Sequence, residues 1–192
     1  MYGATTLQFR LTLAIIDRGV ELNQKLILSR RADEPVTHVV LRLLAYCLFF
    51  RGEGGEALRF APGPADRDGP DLVGRDLIGQ PVEWIVCGHL DADELRHVLQ
   101  HQRQAKVRVL FGSYAEVVEL NRALASLRKR MLGLEAVDFR QVTEELVARL
   151  AEAAMERQRW TVTLLEDHIY VDAEGVTGDS PIWRPSIPLA DA

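Results

Sequence analysis

The apolar residues of this chain change their spacing in a set order, and that order is the tightest constraint on its fold. Leu7, Phe9, Leu11, Leu13 and Ile15 alternate with other residues at a period of two, the mark of a half-buried strand. Asp17-Arg18-Gly19 supplies a turn, because glycine tolerates a positive φ. Val20, Leu22, Leu26 and Leu28 then read as the returning strand of a hairpin. Next the period lengthens: Val36, Val39, Val40, Leu43, Leu44, Cys47 and Leu48 recur at helical intervals. This predicts a helix from about Glu34 to Phe50, with Pro35 in its first turn and Asp33 or Glu34 matching its dipole.

Arg51-Gly-Glu-Gly-Gly55 ends that helix, and Ala57 to Phe60 reads as a short strand. Pro62, Pro64, Gly69 and Pro70 frame a loop, Asp71 to Val73 is strand-like, and Ile78-Gly79-Gln80 is a turn. Val82 to Gly88 is a short apolar run bounded by turn residues, as in a central buried strand. Asp91 to Gln104 reads as a helix and Lys106 to Phe111 as a strand. Two amphipathic helices are expected over 115–130 and 138–159. A hairpin of 160–165 and 168–171 follows across Glu166-Asp167. In order, the middle is helix, strand, strand, strand, helix, strand. Short strand-to-strand links imply an α/β fold with one mixed, part-antiparallel central sheet flanked by helices. An N-terminal hairpin and a C-terminal helix plus hairpin complete it. Residues 1–172 read as a single domain, and 173–192 as an irregular tail.

Composition narrows the class without naming a function. A chain of 192 residues with 47% hydrophobic content suits one soluble globular domain rather than a disordered chain. No run reaches the roughly 18 apolar residues of a spanning helix, and Leu11 to Ile16 lacks a cleavage site, so neither membrane nor secretory signal is expected. Cys47 and Cys87 sit in apolar runs and read as buried thiols of a cytoplasmic protein. The net charge of −5 argues against the basic signature of a nucleic-acid-binding domain, although a local basic face remains compatible with it. The chain has no Ser-His-Asp spacing, phosphate-cradling glycine loop or cysteine cluster.

One spacing points to chemistry. Pro70-Asp71 precedes by about 15 residues the buried strand ending Val86-Cys87-Gly88. Acids on two neighbouring strands can hold Mg²⁺, which polarises a phosphate and generates the attacking hydroxide, while a lysine stabilises the developing charge. The same Pro-Asp pair is also ordinary turn chemistry.

Further residues carry a resemblance. Asp17-Arg18-Gly19-Val20, Glu34, Leu41-Arg-Leu-Leu-Ala-Tyr46, Leu58-Arg-Phe60, Pro70-Asp-Leu72, Trp84-Ile-Val-Cys-Gly88 and Asp93-Glu-Leu-Arg96 occur in an order that resembles the YaeQ family. Those bacterial proteins have structures similar to the PD-(D/E)xK nuclease superfamily, and the likeness spans residues 7–171. It implies a nuclease-like core with its first acid at Asp71. The second acid belongs where the family reads Trp-Ile-Glu, one residue and glycine, and here that position is Val86. The lysine belongs two residues on, at Gly88, or on the next helix, where Val98 and Leu99 stand. Glu34 is the acid the pattern offers on the first core helix, and Asp76 is a second oxygen donor near Asp71. Glu83 points away from Val86 unless a bulge intervenes, and otherwise faces solvent or pairs with a base. Arg96 and His97, one to two residues from those helix positions, and Arg103, about two turns on from Arg96, are the bases that stand nearby.

Three functions are therefore expected, in order. The first is a nuclease-type fold with a degenerate metal site, no cofactor, and a binding or regulatory role toward nucleic acid or a protein. The alternative is a Mg²⁺-dependent nuclease with a migrated site of Asp71, Asp76, Glu34 and an arginine. The third is a structural or interaction protein in which the cleft is filled. Other candidates have plainer readings. His97 and His101 stand i, i+4 on one helix but lack a third ligand. His38, His89 and His168 stand singly. Arg128-Lys129-Arg130 suits a helix C-terminus or a phosphate.

Overall fold

A computed structural model describes residues 5–50, 58–61, 69–127 and 131–187. In chain order its elements are β1 (Thr5–Ile15), β2 (Val20–Arg30), α1 (Val36–Phe49), β3 (Arg59–Phe60), β4 (Leu72–Arg75), β5 (Pro81–Cys87) and α2 (Ala92–His101). Then follow β6 (Lys106–Phe111), α3 (Tyr114–Ala125), β7 (Asp138–Gln141), α4 (Glu144–Glu152), β8 (Arg157–Leu164), β9 (His168–Ala173) and β10 (Val176–Pro181). The fold is mixed α/β, but it holds two five-stranded sheets in place of the expected single one. The chain divides into two compact units, one of residues 1–55 and 143–182, the other of 56–142 and 183–192.

The first unit contains the sheet β10-β9-β8-β1-β2. The hairpin expected from the alternation is present, with Gly19 at φ 62° where a side chain would be strained. Leu7, Phe9, Leu11, Leu13 and Ile15 all face inward and are buried. Phe9 meets Trp160 of β8 edge-on, ring centres 5.9 Å apart. β8 lies parallel to β1, so strands about 150 residues apart in sequence are neighbours. Helix α1 starts at Val36, because Pro35 takes an extended ψ of 146°. It is buried on every side from Val39 to Phe49, not along one stripe.

The second unit contains the sheet β3-β4-β5-β6-β7, antiparallel from β3 to β5 and parallel from β5 to β7. Val86, Val107, Val109, Phe111 and Phe139 of the sheet form one apolar cluster with Leu95 and Val98 of α2 and Val117 and Leu120 of α3. Asp91 caps α2 through the Asp93 N–H, 2.7 Å away, and Ser113 and Glu116 form a reciprocal cap on α3.

Three expectations are corrected here. The segment 138–159 is not one helix. Within Asp138–Gln141 burial alternates, Phe139 and Gln141 inward and Asp138 and Arg140 less buried, which makes β7; Thr143 then caps the short α4, and Gln158, Trp160, Val162 and Leu164 alternate as β8. Glu144 to Glu152 alone keeps the helical period. The tail from 173 is not irregular. Glu174 and Gly175 have φ of 53° and 96°, a two-residue turn that returns the chain as β10. The helices expected to end at 104 and 130 end at His101 and Ala125, and Arg128-Lys129-Arg130 lies outside the described residues, as does Ala57.

Candidate functional site

Asp71 sits just before β4, buried, where that strand first meets β5. Its N–H donates to the Ile85 carbonyl at 2.8 Å, and its Oδ2 accepts from the Cys87 N–H at 2.7 Å. Ile85 C=O and Cys87 N–H project from the same edge of β5. The carboxylate therefore takes a ladder position that backbone would otherwise fill.

The positions that the resemblance assigns to the other active groups are apolar. Val86 is 5% exposed and packs in the cluster with α2 and α3. Gly88 has φ 77° and donates its N–H to Leu110 O at 2.8 Å, so the backbone there favours glycine over lysine. Val98 is buried in the same cluster and Leu99 packs against it. Arg96 lies on the outer side of α2 in an ion pair with Asp93. Asp76 organises its own turn, its Oδ1 accepting from the N–H groups of Ile78 at 3.0 Å and Gln80 at 2.8 Å.

Glu83 has the basic partner the strand pattern allowed. The β5–β6 register runs unbroken from Glu83 to Cys87, so no bulge turns Glu83 toward Asp71. Arg108 donates its Nε to Glu83 Oε2 at 2.7 Å and its Nη1 to Asp138 Oδ2 at 2.5 Å. Arg140 donates to the same Asp138 oxygen at 3.2 Å. Burial pushes the Asp138 carboxyl up, but the Arg140 hydrogen bond and the charges of Arg140, Arg108 and Arg184 outweigh it and hold it below its ordinary value. Sequence reading missed this four-residue network. One signal was present: Gly74, inside a strand, faces Glu83, and a Cβ there would lie 3.0 Å from Glu83 Cβ.

Glu34 lies in the first unit, immediately before α1, and is also committed. Its Oε1 accepts from His38 Nδ1 at 2.9 Å and Arg42 Nη1 at 3.1 Å, and its Oε2 from the Arg31 N–H at 3.2 Å. Burial opposes ionisation, yet the His38 bond, the Arg42 charge and the Arg31 N–H together lower its pKa. Arg42, 1% exposed, also donates to Ser29 O.

His97 and His101 stack with ring centres 4.1 Å apart, and His101 bonds the His97 carbonyl rather than a third ligand. Among the described residues no three His, Cys, Asp or Glu side chains converge on a possible ion position. His89 approaches Glu119 at 3.4 Å, and His168 bonds Asp179 at 2.9 Å. Cys47 and Cys87 are buried thiols, and burial pushes the Cys47 thiol up to about 12. No helix among the described residues is long and apolar enough to cross a membrane.

Comparison with known proteins bears on the whole chain. The family model described as YaeQ protein matches residues 2–180. The crystal structure of the YaeQ protein from Pseudomonas syringae is similar over 95% of this chain and 96% of its own, at 25% identity and a TM-score of 0.78. That of the YaeQ protein from Xanthomonas axonopodis pv. citri covers 95% of this chain and 98% of its own, at 21% identity and a TM-score of 0.80. No curated protein matches the chain.

Proposed function

Because this chain belongs to the YaeQ family, we propose that it carries a nuclease-type core of the PD-(D/E)xK kind with a depleted metal site, and that it binds or regulates a partner, nucleic acid or protein, without hydrolysing it. Support for the core is the succession of α1, the antiparallel run β3-β4-β5, α2, and β6 parallel to β5. Support for the depletion is, above all, Val86: a buried valine among apolar neighbours stands where the resemblance asks for an acid. Mg²⁺ takes near-octahedral oxygen coordination and needs carboxylate charge from its site. One carboxylate already bonded to a backbone N–H, beside a valine and a glycine, does not fit that ion. The migrated site has less support, since Asp76 is held in its own turn and Glu34 receives three donors.

Calorimetric titration with millimolar Mg²⁺ tests this reading. The wild type and Asp71→Ala are expected to show the same absence of binding heat. Neither is expected to cleave a mixed DNA and RNA panel when Mg²⁺ is added. Mg²⁺-dependent cleavage by the wild type that Asp71→Ala abolishes would overturn the reading. Val86→Glu, its fold checked by circular dichroism, is expected to restore metal binding that depends on Asp71.

A further inference from the structure

The outer face of the first unit's sheet carries a row of cations that the depleted site does not explain. Leu7, Phe9 and Trp160 face α1, lining a cavity with its Val39, Val40 and Leu43, so strand alternation turns Gln8, Arg10, Thr12, Arg157 and Arg159 the other way. The register places Arg10 directly opposite Lys25 of β2 and directly opposite Arg159 of β8. Arg157 lies one pleat along, opposite Gln8. These four exposed cations line a hollow of about 310 Å³ with Gln8, Gln158 and a single carboxylate, Glu174. Among the described residues none of the four makes an ion pair or a side-chain hydrogen bond. Like charges directly opposite on paired strands are unfavourable. Three in a row, in a chain of net charge −5, fit an anion that is absent from the free protein.

We propose that this face binds single-stranded nucleic acid through its phosphodiester backbone. Neighbouring strands lie about 4.8 Å apart, so the row from Arg159 to Lys25 spans roughly 10 Å, and Arg157 is about 7 Å from Arg159 along the strand. That patch accommodates two or three successive phosphates of one strand. It is narrower than the ~12 Å major groove across which a duplex presents its two backbones. Arginine forks match phosphate oxygens in pairs. The next row, Thr161, Thr12 and Asn23, offers hydroxyl and amide groups to sugars and base edges, and ends at Asp172, whose Oδ1 accepts from the Gly175 N–H; Thr12 Oγ1 already donates to Asn23 Oδ1 at 2.8 Å. No exposed aromatic lies in these rows, so recognition is of backbone and tolerates sequence. The inference does not rest on the reading of Asp71.

Fluorescence anisotropy of the full chain with a labelled 12-nucleotide oligo(dT), its duplex and pyrophosphate as competitor tests it. Two or three neutralised phosphates predict roughly 7- to 20-fold weaker single-strand binding between 50 and 200 mM salt. Arg10→Gln/Arg159→Gln is expected to weaken binding at least tenfold and to flatten the salt slope by about 1.4. Arg122→Gln, which removes an exposed cation of α3 in the other unit, is expected to leave binding unchanged. Absence of binding at 50 mM salt, indifference to the double substitution, equal affinity for the duplex, or displacement by equimolar pyrophosphate would each overturn it.

Discussion

At the scale of residues, the chain places ionised groups inside and holds each with named partners. Arg42 is the most exacting case, a guanidinium 1% exposed on a helix whose other buried residues are Val, Leu, Ala, Tyr, Cys and Phe. Removing one member of such a pair leaves an uncompensated charge, so Arg42→Met is expected to cost about 3–5 kcal/mol in urea unfolding. Glu34→Leu/Arg42→Met should recover most of that loss, because a well-packed apolar pair replaces a buried ionic one at little cost. Cys47 gives a second test. With its thiol pushed up to about 12 by burial, the folded protein should leave Cys47 unreacted with a thiol reagent at pH 8, and unfolding in urea should release both thiols. What the sequence told at this scale was uneven. Asp71 and Val86 were singled out through the resemblance, since position in a motif survives without coordinates, and both are buried. The Glu83–Arg108–Asp138 network was not, because it joins three strands and depends on register.

At the scale of elements, period was a good guide wherever one face is buried. β1, β2 and α1 were legible for that reason. The segment 138–159 was not, because apolar residues at 142, 146, 147 and 150 fit a helical spacing that two strands border on either side. A cap at Thr143 was the missed stop signal. β10 was missed because its residues, Val-Thr-Gly-Asp-Ser-Pro, have little strand preference; pairing to β9 and packing by α4 decide its form. That packing is tight: a Cβ on Gly178 would lie 2.7 Å from Leu146 Cδ1. Gly178→Ala should therefore destabilise by about 1–3 kcal/mol, read by thermal melting. The row of cations predicts the opposite sign. Arg10→Gln relieves two like-charge contacts and is expected to stabilise by a few tenths to about 1 kcal/mol in the same assay.

At the scale of the whole molecule, each unit holds a carboxylate below its ordinary range, Glu34 in one and Asp138 in the other. A lowered folded pKa adds stability that is fully present above the unfolded value near pH 4 and is lost as pH falls through the folded one. Melting temperature should therefore be flat from pH 7 to about 5 and fall below 4. Glu34→Gln should shallow that fall, and a variant whose acid limb matches the wild type would refute the assignment. Two sheets instead of one could not be read from spacing, since periodicity identifies strands and says nothing of which distant strands pair. The parallel pairing of β1 with β8 has a consequence in time. At about 5–20 residues per second, the ribosome delivers β8 roughly 7–30 s after β1. Throughout that interval the backbone edge of β1 that pairs with β8 stays open. Newly made chains should thus depend on chaperones until synthesis is nearly finished, and a circular permutant beginning at β8 should shorten that dependence.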